Sequence, residues 1–139
     1  MKKNMKKNNK GFSLVELIVV VLIMGIIAVA LAPQVMKWVG TARENSDENT
    51  AKDIKSAVQV ALAEWQQTNS VPTSGDNAKY LVNGGTALSI TKDWGTNPNE
   101  LSATITSVMG GDFPKPQKTG SSGFTIEIET TSGKVTVNY

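Results

Sequence analysis

The sequence predicts an α+β protein in which one long amino-terminal helix, apolar in its first half and amphipathic in its second, packs on a small carboxy-terminal antiparallel β-sheet. Three observations carry this. Residues 12–32, FSLVELIVVVLIMGIIAVALA, contain only Ser13 and Glu16 as polar side chains. Ala51, Ile54, Val58, Ala61, Leu62 and Trp65 then recur at steps of three and four, the period of one helix face. Finally Phe124, Ile126 and Ile128 alternate with Thr125, Glu127 and Glu129, and the alternation resumes with Val135, Val137 and Tyr139 after Thr131-Ser132-Gly133-Lys134, which reads as a hairpin with one apolar face. At 139 residues the chain suits one small domain.

Taken in order, residues 1–11, MKKNMKKNNKG, hold Lys2, Lys3, Lys6, Lys7 and Lys10 with no acid and no core-forming residue except Met. They read as a cytoplasmic anchor or a leader. The apolar run that follows would reach about 31 Å as a helix, close to the thickness of a bilayer core. Pro33 comes next, then Val35, Met36, Trp38 and Val39 before polar residues take over. Residues 34–139 are expected to form a globular head, with an amphipathic helix over 34–68, a loop region over 69–122 and a terminal β-hairpin over 123–139. The helix should stop near Thr68, because Asn69, Ser70 and Pro72 are turn formers and a residue before proline avoids the helical region. Within the loop region Gly84-Gly85, Gly110-Gly111 and Pro114-Lys115-Pro116 act as breaks, and short strands are expected near 80–82, 87–91 and 103–108. A lone hairpin is marginal in water, so its apolar face should pack on the helix stripe, joined by one or two strands from the middle region.

Composition excludes much chemistry. The chain has no Cys and no His, so a disulfide framework, a thiolate metal site and the commonest general base are all missing. No catalytic residue, metal site or cofactor is expected. Gly84-Gly85 and Gly110-Gly111 lack a following Lys-Ser/Thr and are turns, not phosphate cradles. Asp93, Asp112, Asn97 and Asn99 offer oxygen ligands for calcium, but without the spacing of a calcium loop they read as solvated loop polarity. Lys115 and Lys118 are the only local basic pair in the loop region over 69–122, so no nucleic-acid partner is expected. Trp38, Trp65, Trp94, Tyr80 and Phe113 are too scattered for a stacking platform and read as core or subunit contacts.

Three readings compete for residues 1–33: a plain membrane anchor, a secretory signal peptide ending in an A-x-A-like site at Ala28-Val29-Ala30 or Ala30-Leu31-Ala32, and an apolar segment retained for a function of its own. The first two leave Glu16 unexplained. A carboxylate at mid-bilayer costs up to about 3 kcal/mol and marks a functional site by default. Pro33 directly after Ala32 also disfavours signal-peptidase cleavage there.

The run Lys10-Gly11-Phe12-Ser13-Leu14-Val15-Glu16 resembles the processing signal of the type IV pilin family, written G-F-[ST]-L-x-E-[LM], with a basic leader before it and an apolar helix after it. The resemblance implies cleavage between Gly11 and Phe12 by a membrane-embedded prepilin peptidase, followed by N-methylation of Phe12. It implies that Glu16 meets the amino terminus of a neighbouring subunit and sets axial register; the local alternative is that Glu16 caps its own helix start. Gly25, a poor helix former, and Pro33, which cannot donate to the carbonyl of Val29, are candidates for local melting in a filament or for a bend. The partners implied are the chain itself as a helical homopolymer, the peptidase, an inner-membrane assembly platform with its ATPase, and membrane lipid before assembly. The implied location is the cytoplasmic membrane, with the amino terminus inside and the head outside, and then a surface filament.

The function expected from the resemblance is that of a structural subunit of a type IV pilus or related filament, not of an enzyme. A pseudopilin of a type II secretion system and a minor pilin for DNA uptake or adhesion are the alternatives. Beyond residues 10–33 the resemblance is one of layout, with Trp65 and Pro72 placed like the family's aromatic residue and proline after the first helix. The carboxy-terminal cysteine pair of many Gram-negative pilins is missing, which leaves packing of Phe124 on Tyr139, or filament contacts, to hold the last segment.

Overall fold

The computed structural model of the chain describes residues 11–95 and 100–139; the basic leader through Lys10, and Asn97 and Asn99, lie outside the described residues. The elements run α1 (Leu14–Trp65), β1 (Ala78–Val82), β2 (Ser89–Lys92), α2 (Leu101–Val108), β3 (Phe124–Ile128) and β4 (Val135–Asn138). The chain divides into two units, Met1–Val39 and Gly40–Tyr139. In the first unit α1 is continuous through both Gly25 and Pro33.

In the second unit the stripe read from the sequence is the face α1 buries: Ala51, Ile54, Val58, Ala61, Leu62 and Trp65. The helix ends at Trp65, three residues before the expected stop at Thr68. Asn69 ends it, because its backbone N–H (3.1 Å) and its side-chain amide (3.0 Å) both donate to the Trp65 carbonyl. These two bonds satisfy an oxygen that a helix carboxy terminus leaves orphaned.

The sheet is four-stranded and antiparallel, in the order β2-β1-β3-β4. The expected hairpin is β3 and β4, with Ile126 opposite Val137 and Ile128 opposite Val135. Both expected middle-region strands near 80–82 and 87–91 exist as β1 and β2. β1 pairs along its whole length with β3, from Ala78 opposite Ile128 to Val82 opposite Phe124. Alternate residues Ala78, Tyr80 and Val82 of β1 and Phe124, Ile126 and Ile128 of β3 are buried, and they join the helix stripe in one core with Trp94, Leu101, Ile105, Phe113 and Val135. Trp65 and Trp94 meet at 6.4 Å between ring centroids. Phe124 and Tyr139 meet at 6.0 Å, so the aromatic packing expected to hold the last segment is present.

One expected strand is a helix. Residues 103–108 fall in α2, not in the sheet. The β-branched residues Thr104, Ile105, Thr106 and Val108 suggest a strand, but Leu101, Ile105 and Val108 also stand at helical spacing, and Leu101 and Ile105 are fully buried. Tertiary burial of that face overrides propensity. Beyond its end the Gly111 N–H reaches back to the Thr106 carbonyl at 3.0 Å, a closure that uses positive φ at Gly110 (71°).

Gly123, at the entry to β3, is required sterically. Its φ is 151°, and a Cβ there would stand 2.7 Å from the Val82 carbonyl oxygen. Only glycine lets β3 begin this close to the end of β1.

Candidate functional site

Gly11, Phe12 and Ser13 precede the first helical turn and are exposed, with Phe12 at 86%. The Gly11–Phe12 bond therefore lies in non-helical backbone. A Cβ added at Gly11 would meet nothing within 4 Å, and its φ is not in the left-handed region. The described part of the chain thus gives no packing reason for glycine at this position.

Ser13 occupies the N-cap position of α1. Its carbonyl accepts the first helical bond from Leu17 N–H at 3.2 Å, and its own N–H donates to Glu16 Oε2 at 2.8 Å. This is the reach-back half of a capping box, built by a hydroxyl residue and a glutamate three positions later. The carboxylate also sits at the positive end of the helix dipole, which is worth about 0.3–1 kcal/mol at an exposed terminus. The local role weighed for Glu16 is present.

From Leu14 to Val39 every large apolar side chain of α1 stays exposed, from 43% at Val39 to 77% at Val29. Burying one such side chain is worth about 1.5–3 kcal/mol, so this surface strongly favours any environment that removes it from water. The stretch is long and apolar enough to cross a membrane, and none of it is buried within the chain. A Cβ at Gly25 would stand in open space, so no neighbour among the described residues demands its absence.

Two acids matter in ways the sequence reading missed. Asp47 is 1% exposed; its Oδ1 accepts from Gln117 N–H at 2.7 Å and its Oδ2 from Lys118 N–H at 2.8 Å. Lys118 Nζ also pairs with Glu44 at 2.9 Å, and this partner holds the lysine pKa above its ordinary value. The Pro114-Lys115-Pro116 break is thereby followed by a segment pinned to α1. A signal for this was legible: Asp47 lies four residues before Ala51, on the same helical stripe.

Asp93 is the second. Its setting in the sequence predicts a solvated loop acid with ligand potential. In the structure its Oδ1 accepts from Tyr80 OH at 2.5 Å, Trp94 N–H at 2.8 Å and Ser102 N–H at 3.2 Å. It ties β1 to the first turn of α2. Burial, and then the Asp93 carboxylate, push the Tyr80 phenol well above its ordinary pKa, so Tyr80 remains a proton donor. Asp112 is exposed, and no group of three metal-ligating acids occurs among the described residues. Trp65, Trp94, Tyr80 and Phe113 are core residues, as read, while Trp38 is exposed.

Comparison with known proteins adds one match. The family model described as "Prokaryotic N-terminal methylation motif" matches residues 6–32. No solved structure matches the chain. The matched segment takes in Gly11, Phe12, Ser13 and Glu16 and most of the exposed apolar helix. Residues 6–32 are thus similar to a prokaryotic N-terminal methylation motif, the signal of type IV prepilin-like precursors.

Proposed function

We propose that the protein is a structural subunit of a type IV pilus or a related filament, stored in the membrane as a precursor and polymerised through its amino-terminal helix. The observation that carries this reading is the methylation motif over residues 6–32 together with the large apolar side chains from Leu14 to Val39, all exposed among the described residues. In the bilayer lipid solvates that surface; in a filament neighbouring copies do so. The peptidase cuts between Gly11 and Phe12, the new amine of Phe12 is methylated, and the apolar helix is retained.

Glu16 then has two successive tasks. Its carboxylate first completes the helix start through Ser13 N–H. In the filament it meets the cationic amino terminus of a neighbour, which sets the axial step between subunits; an α-amino group with a pKa near 7.7–8.0 is largely charged at neutral pH. Gly25 and Pro33 supply the positions at which the helix loosens on assembly, because one has poor helix propensity and the other withholds a donor. The role is structural and needs no active site.

Intact mass of the mature protein tests the reading. The expected chain begins at Phe12 and carries one added methyl group. A mature chain beginning at Met1 or at Pro33 overturns it.

A further inference from the structure

We propose that Glu16 and Trp38 mark the two faces of the membrane, so that residues 17–37 span the lipid and the Trp38 indole sits among the phospholipid headgroups of the outer leaflet. This rests on the membrane-stored precursor proposed above. The apolar run alone, residues 12–32, places the span five residues earlier.

The exposed apolar surface does not end at Pro33. Met36 is 75% exposed, Trp38 64%, and Val35 and Val39 are also open. Residues 14–39 make about 39 Å of helix, more than the roughly 30 Å of a hydrocarbon core, so part of the run must lie outside it. Of the polar-tipped side chains in the run, Glu16 and Trp38 decide which part, with Gln34 and Lys37 within about one turn of the Trp38 end. With residues 12–32 in the core, Glu16 sinks about one turn into hydrocarbon, and Trp38 stands about 9 Å beyond the far boundary. From Glu16 to Trp38 the helix rises about 33 Å, which matches the core. Shifting the span brings the carboxylate to the cytoplasmic boundary and the indole to the opposite one. There its apolar body and N–H are both satisfied.

The helix is unbroken across Pro33, so the rise holds along the whole stretch. Lys37 fits the same boundary, since a lysine stem lies along apolar surface while its ammonium reaches the headgroups. The basic leader fixes the direction, holding the Glu16 end inside.

Tryptophan fluorescence of the full chain in phosphatidylcholine–phosphatidylglycerol vesicles tests the assignment, using lipids brominated near either the headgroup end or the methyl end of the acyl chain. Trp65 and Trp94 are buried in the second unit and supply a lipid-insensitive background. Headgroup-end bromines are expected to quench at least about twice as strongly as methyl-end bromines, with the lipid-dependent signal lost in Trp38→Phe. Stronger quenching by methyl-end bromines overturns the assignment, as does absence of quenching while the helix is protected from protease. Neither quenching nor protection overturns both it and the membrane-stored reading.

Discussion

Asp47 is the one acid on the buried stripe of α1, and it receives two backbone donors from a segment seventy residues away in sequence. Replacing it with Ala leaves the Gln117 and Lys118 N–H groups without their charged acceptor. The expected cost is about 2–4 kcal/mol, read as a lower denaturant midpoint for the detergent-solubilised chain. Asp47→Asn keeps the shape but turns an amide donor towards one of those N–H groups, so it should recover only part of the loss. Gly123→Ala combines an unfavourable φ with a collision against the Val82 carbonyl. A loss of about 2–3 kcal/mol is expected by the same measurement. At Glu16, substitution by Ala should leave membrane insertion intact and impair filament assembly; normal filaments in that variant, seen by electron microscopy, would remove the register role.

Between elements, the Tyr80–Asp93 bond links β1 to α2 and has a pH signature. The phenol pKa is raised in the folded chain, so its contribution to stability is complete below the unfolded value near 10 and is lost as pH rises above it. Stability measured across alkaline pH should fall more steeply in the native sequence than in Tyr80→Phe, which has no proton to lose there. Local pattern made α1, β3 and β4 legible, because periods of 3.6 and 2 state which side of an element is buried. α2 was not legible, since its apolar spacing competed with β-branched composition and only the buried pocket for Leu101 and Ile105 decides between them. The pairing of β1 with β3, and the donors that Asp47 and Asp93 serve, depend on contacts remote in sequence that no local window contains. The methylation motif was the most legible part, because its signal is contiguous: Gly11, Phe12, Ser13 and Glu16 lie within one short run.

For the whole molecule, the proposed cleavage after Gly11 would change the charge balance. The chain carries 14 Lys+Arg and 12 Asp+Glu, and removing residues 1–11 takes five lysines and no acid, leaving 9 against 12 on side chains. Isoelectric focusing should therefore move the mature subunit to the acidic side of its precursor. The two units also divide the forces that act on the chain. The second is held by its own core, whereas the apolar side chains of the first leave nearly all their burial to be gained elsewhere. On the proposed function the stretch from Leu14 to Val39 acts as a surfactant tail, and its transfer from bilayer to filament would be an exchange of one apolar solvent for another. Agents that dissolve apolar surface should release the subunit, while salt or reductant, with one carboxylate between Leu14 and Val35 and no sulfhydryl in the chain, should leave it in place.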